Sequence, residues 1–206
     1  MPPSEPAPLP LPQLPLRERK RLAAMRRIQD VAIDQFEEHG FDEVTIEQVA
    51  AASEVSPSSV YRYFGTKERL VVWDPHDAAA VHLVGQTLPG LSPTDAIRMV
   101  VLTTLGEAFR TDEQRIRRRL RLAFTHESIE AALNLQTTEL TPAVTALLAH
   151  HLGRPTGDLD VQVLAYAFVG GLMGALRTWH DSGYTIPVET LLERPLAILS
   201  RGLDQP

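Results

Sequence analysis

Between Thr45 and Phe64 the sequence has room for only two short helices, because two helix-start signals follow one another closely and a stop comes straight after them. Thr45 and Gln48 form a capping box: the hydroxyl accepts from the N3 backbone N–H, and the glutamine side chain accepts from the N–H of the cap. Val44 and Val49 flank it as a hydrophobic staple. Ser56 offers a second cap, and Pro57 fills the first helical position, where a missing N–H loses nothing. Val55 and Val60 make the second staple, and Gly65 with the Thr66 cap ends this helix near Phe64 and opens another. The spacing predicts helices at about 46–53 and 57–64 joined by a tight turn at Ser53–Val55, which is helix-turn-helix organisation.

The remaining pattern predicts an all-α chain, since no alternating strand-like stretch of useful length occurs. Leu22, Ile28, Val31, Ala32 and Phe36 recur at spacings of three and four, with Gln35 as a polar interruption, and Gly40 ends that helix. Start signals at Ser92-Pro93, Thr111 with Gln114, Asp158 and Ile186-Pro187 predict helices at 93–109, 112–125, 128–151 with a possible break at Pro142, 159–181 and 187–202. Seven prolines within residues 2–15 predict an extended tail over 1–16. A three-helix head is expected over 17–70 and a helical body over 71–206.

Composition narrows the class. With 44% hydrophobic residues the 206-residue chain can bury a core, and the absence of cysteine excludes disulfide scaffolds, thiolate chemistry and Cys-rich zinc sites. No apolar run approaches the roughly 20 residues of a bilayer span, so a cytoplasmic protein is expected. The net charge of −6 argues against a general nucleic-acid coat, but Arg17, Arg19, Lys20, Arg21, Arg26 and Arg27 make one segment locally basic.

In the helix at 57–64, Val60 and Phe64 fall on one face, which must be the buried one. Ser58, Ser59, Tyr61, Arg62 and Tyr63 remain for the others. Small hydroxyls at the N-terminus let a backbone approach base edges, the phenols can donate to phosphates, and Arg62 can reach a phosphate or a guanine edge. Lys67 adds positive charge beside a helix N-terminus. Aromatic packing would be the ordinary role of each tyrosine alone, but burying Arg62 between them would require a paired partner.

The stretch VTIEQVAAASEVSPSSVYRYFGTKERL, Val44 to Leu70, resembles the N-terminal domain of the TetR family of bacterial regulators. The resemblance implies a dimer that reads double-stranded operator DNA, represses transcription and is released by a small-molecule effector, with no enzymatic activity and no cofactor. It places Ser58, Ser59, Tyr61, Arg62 and Tyr63 on the recognition helix with its cap Ser56, and Thr45 and Lys67 at phosphates. Arg19 would fall in an arm before the first helix. Many relatives carry Ala-Gly in the turn where this chain has Ser53 and Glu54; glutamate disfavours positive φ, which predicts a strained or reshaped turn. WDPHD at 73–77 and RIRRRLRLAF at 115–124 resemble the MftR-like subgroup, which suggests an acyl-CoA or another apolar or anionic metabolite as effector.

For the body, Gly170, Gly171 and Gly174 in the helix at 159–181 suggest close helix approach, and with Leu192, Leu196 and Leu199 they form the expected dimer interface; intrachain packing is the alternative. Phe109, Phe124 and Trp179 are candidates to line an effector cavity or to pack the core. Arg118, within Arg115–Arg121, is a candidate anion ligand or a solvated charge. Pro75 is expected to kink a helix running from Thr66. Asp74, His76 and Asp77, and the pair His150-His151, lack helical metal-ligand spacing, and no HExxH, phosphate loop or nucleophile elbow occurs. The alternative to a regulator is a helical protein-interaction or small-molecule-binding module in which Arg62 and its flanking tyrosines meet a partner protein.

Overall fold

The computed structural model describes residues 15–76 and 91–201, and all regular elements among them are α-helices. The proline-rich tail and Asp77 lie outside the described residues. Those described fall into two compact units, one made of 15–75 with 117–133, the other of 76, 91–116 and 134–201.

The first unit holds α1 (Leu16–His39), α2 (Ile46–Ala52), α3 (Pro57–Phe64) and α4 (Lys67–Val72). The buried stripe of α1 is Met25, Ile28, Gln29, Ala32, Ile33 and Phe36, so it is rotated from the predicted one: Leu22 and Val31 are only half-buried. Phe36 meets Phe41 edge-on at 5.0 Å between ring centroids, and Val49, Val60, Phe64 and Leu70 complete the core. Leu122, Ala123 and Ile129 belong to the same core, which is why residues 117–133, expected in the body, group with the head.

The α4 helix stops at Val72, and Trp73 already has extended backbone (φ −52, ψ 131). Pro75 therefore does not kink a continuing helix; the residue before a proline avoids helical geometry, and the helix ends ahead of it. Its last carbonyls need donors. Gln29 Nε2 donates to Leu70 O at 2.8 Å, Val71 O at 3.2 Å and Trp73 O at 2.8 Å. Arg119 donates from Nε to Val71 O at 2.8 Å and from Nη2 to Val72 O at 2.7 Å, while its Nη1 meets Asp74 at 2.9 Å.

The second unit is built from the N-terminal part of α5 (Pro93–Thr125), the end of α6 (Glu127–Glu139), α7 (Thr141–Leu152), α8 (Leu159–Asp181) and α9 (Val188–Arg201). The predicted gap near 110 is instead a kink in one long helix, with Asp112 at φ −136, ψ 22. Thr111 does not cap a new helix, because its hydroxyl donates back to Glu107 O at 2.9 Å. The predicted segment 128–151 is two helices, with Pro142 in the first turn of the second, where its missing N–H is harmless. Asp158 caps α8 by accepting from Asp160 N at 3.0 Å.

Trp179 is fully buried, edge-on to Phe109 at 5.1 Å and to Tyr184 at 4.9 Å, and its indole N–H donates to Ile186 O at 3.0 Å. Phe109 and Trp179 are thus core residues of the body. On α9, Leu191, Leu192 and Leu196 are buried against their own chain.

Candidate nucleic-acid interface

The two short helices form as the caps predict. Thr45 Oγ1 accepts from Gln48 N at 3.2 Å while Gln48 Oε1 accepts from Thr45 N at 2.7 Å. Ser56 Oγ accepts from Ser59 N at 3.2 Å and lies 2.9 Å from both Ser58 Oγ and Ser59 Oγ, so three hydroxyls share one network at the start of α3. Val60 and Phe64 are the buried residues of this helix, and Gly65 (φ 78) ends it.

The turn between α2 and α3 is a Schellman motif: Val55 N donates to Ala50 O at 3.0 Å and Glu54 N to Ala51 O at 3.1 Å. That geometry requires a left-handed residue, and Glu54 supplies it at φ 56. The left-handed conformation costs a non-glycine residue about 1–2 kcal/mol. Replacing Glu54 with glycine is expected to raise stability by about 1 kcal/mol, a rise of about 2–4 °C in melting temperature for a chain of this size, readable by calorimetry. An unchanged or lower melting temperature would refute the strain.

On the outer side of α3, Tyr61 is 48% exposed, and Ser58 and Arg62 are exposed. Arg62 is oriented from both flanks: Nη2 donates to Ser59 Oγ at 3.3 Å, and the guanidinium carbon is 5.0 Å from the centroid of the Tyr63 ring. Tyr63 is half-buried against the head core, so its ring serves as a fixed platform.

Three expected site residues make contacts within the chain that the sequence did not announce. Lys67 donates from Nζ to Phe41 O at 2.7 Å and Val44 O at 3.1 Å, and lies 4.3 Å from the Phe41 ring centroid, so it ties the start of α4 to the loop before α2. Arg19 is exposed in the first turn of α1, with its N–H donating to Pro15 O at 3.0 Å, so it is part of the helix and not of an arm preceding it.

Arg118 is the third. It reaches Glu37 from Nε at 2.9 Å and Nη2 at 2.6 Å, and Asp34 from Nη2 at 2.6 Å. The hydrogen bond to Glu37, foremost, holds its pKa above the ordinary arginine range. A guanidinium occupied by two carboxylates is neither a solvated charge nor an open anion site. Phe124 is half-buried in the head unit, so the structure divides the four expected effector residues between the two units.

The dimer residues also separate. Leu192 and Leu196 belong to the core of their own chain, and a Cβ built on Gly171 would lie 4.0 Å from Leu199 Cδ1 and Pro195 Cβ, an ordinary intrachain contact. Gly170 and Gly174 remain on an open face, with nothing among the described residues within 4 Å of such a Cβ. They share it with residues the sequence reading missed: Leu159 is 74% exposed, and Val163 and Tyr166 are each 57% exposed. At about 100° per residue these positions form one longitudinal stripe along α8.

A head whose second short helix presents hydroxyls, a phenol and an oriented guanidinium on a capped, rigid scaffold defines a DNA-binding helix-turn-helix regulator. The comparisons agree: residues 28–72 match the family model of the bacterial regulatory proteins, tetR family, and residues 91–204 match that of the MftR C-terminal domain. The chain belongs to the TetR family of transcriptional regulators, with a C-terminal domain of the MftR type, and is not an enzyme.

It is 25% identical over 193 residues to the putative mycofactocin biosynthesis transcriptional regulator MftR of Mycobacterium tuberculosis, covering 91% of this chain and 94% of the relative. Among solved structures, FadR of Thermus thermophilus, a repressor in complex with lauroyl-CoA, matches with a TM-score of 0.59 at 19% identity over 88% of this chain and 96% of that one. NalD of Pseudomonas aeruginosa, the secondary repressor of the MexAB-OprM multidrug efflux pump, matches with a TM-score of 0.58 at 17% identity over 91% and 100%. At these identities the structural likeness is one of fold.

Proposed function

We propose that this protein is a cytoplasmic repressor that binds a palindromic operator as a homodimer and leaves it when a small metabolite occupies the body. The single observation that carries this reading is the outward surface of α3, with Ser58, Tyr61 and Arg62 exposed on a helix whose other face is locked into the head core. One such head has few contacts; two, related by a two-fold axis, read a palindrome at half-sites about one helical turn apart.

The stripe on α8 supports the dimer. By length and composition α8 could also cross a membrane. However, Val161, Ala165, Phe168 and Val169 are buried within the chain, so the apolar exposure is one-sided, as a dimer face requires. The effector is an apolar or anionic metabolite, and acyl-CoA is the first compound to test because a protein of this fold is known with lauroyl-CoA. To act, such a ligand must prefer one spacing of the two heads over the other.

Selection of bound duplexes from a random pool, repeated with acyl-CoA and metabolite mixtures, tests the reading. A palindromic site should be enriched, and one class of compound should release it. Enrichment of an unpaired half-site alone would contradict the dimer, and no enrichment at low salt would contradict DNA recognition.

A further inference from the structure

The geometry points to Arg62 as the residue that sets base specificity, by reading a guanine in each operator half-site. This rests on the DNA-binding reading and adds to it the identity of the base and of its reader. With Val60 and Phe64 buried, the helical period of about 100° per residue puts Arg62 opposite the buried face. Tyr61 and Tyr63 lie about 100° to either side of it. A helix laid in the major groove with its core face outward therefore aims Arg62 at the floor of the groove and the two phenols at its walls, where the phosphates run.

Orientation separates the two roles of an arginine. A preset fork favours bidentate pairing with a phosphate or with a base alike, so it is the direction of Arg62, opposite the buried face and toward the floor of the groove, that favours the base. Arg62 is held on one side by Ser59 Oγ at 3.3 Å and on the other by the half-buried Tyr63 ring, 5.0 Å from the guanidinium carbon. Ser59 is itself fixed by the cap network, 2.9 Å from Ser56 Oγ.

The chemistry of the fork names the base. Arginine has donors only, and guanine alone shows two adjacent acceptors, N7 and O6, in the major groove. Adenine pairs an acceptor with a donor there, cytosine presents a donor, and thymine a single acceptor beside a methyl group. The exposed positions of α3 hold no Asn, Gln, Asp or Glu that could answer the adenine or cytosine amino group, so the only directional reader on this surface is an all-donor one. The hydroxyls of Ser58 and Ser59 donate or accept equally well and discriminate weakly.

The test pairs protein and operator variants. Wild-type protein selects its site from a random duplex pool, and each half-site should carry one invariant guanine. Changing that G·C pair to A·T should weaken wild-type binding by about tenfold to a hundredfold. Arg62→Ala, an exposed substitution checked by melting temperature and oligomeric state, should bind the parent site more weakly by a similar factor and be indifferent to the base change. Its own selection should show that one position randomised and the rest of the site kept.

If Arg62→Ala still penalises the base change, loses affinity equally on all sequences and lowers the salt slope by about one, Arg62 is a phosphate contact and the inference fails. It fails equally if the selected half-sites contain no invariant guanine. If wild-type protein selects nothing at low salt, the DNA-binding reading falls with it, a result that cannot be confused with the other two.

Discussion

Placing arginine at both Gly170 and Gly174 is expected to convert the protein to a monomer by sedimentation and to weaken binding to the selected palindrome by about a hundredfold or more. Both glycines lie on the open stripe of α8, and neither has a neighbour within 4 Å of an added Cβ among the described residues, so a side chain can leave the helix there without displacing them. Across a two-fold axis each new cation would face its symmetry mate in an apolar interface, where unpaired charge costs several kcal/mol. Coupling two heads raises avidity by about 10²–10⁴, and that factor disappears with the dimer. Helix content and melting of the isolated chain should hold, apart from the concentration dependence that dimerisation adds. A double variant that remains a dimer would move the interface elsewhere.

The second large effect is expected at Gln29. Gln29→Leu keeps the volume of the side chain but removes the amide whose two N–H groups serve Leu70 O and Trp73 O, each at 2.8 Å, at the end of α4. Each buried acceptor left unpaired costs about 1–3 kcal/mol. Arg119 still serves Val71 and Val72, so Leu70 O and Trp73 O are the groups at risk; the substitution also removes the buried Gln29 Oε1, which has no partner among the described residues, and a net loss of about 1–3 kcal/mol is expected. For a chain of this size that corresponds to a fall of about 2–12 °C in melting temperature. If Gln29→Leu proved neutral or stabilising, Gln29 would be a tolerated polar residue in a hydrophobic stripe, and the end of α4 would be held by Arg119 alone.

Local signals in the sequence located the helix-turn-helix well, because caps, staples and a proline at the first helical position act within four residues of where they are written. Thr45, Gln48, Ser56 and Pro57 all do in the structure what their spacing predicts. The strained turn was equally legible: a glutamate where a left-handed residue is needed stands at φ 56. Long-range pairings could not be read in this way. Nothing within a few residues of Arg118 or Arg119 announces that one meets Asp34 and Glu37 on α1 while the other meets the end of α4, so their cluster resembled free charge.

Gln29 left a signal that could have been used, a polar residue in register with Met25, Ala32 and Phe36. Lys67 shows the same limit, since nothing near it in the sequence announces the carbonyls of Phe41 and Val44 that it meets. The open face of α8 was legible only at Gly170 and Gly174, for a related reason. A helix apolar on most sides does not reveal which apolar residues its own chain covers, and the structure assigns Leu192 and Leu196 to the interior and Val163 and Tyr166 to the surface.

The central claim is that two copies of the α3 surface enter one duplex together. Sedimentation of the purified protein with the duplex it selects, at low and at moderate salt, measures this directly. Two protomers per palindrome, with affinity falling steeply as salt rises, is the expected result; one protomer per duplex, or a protein that sediments alone at low ionic strength, would contradict it.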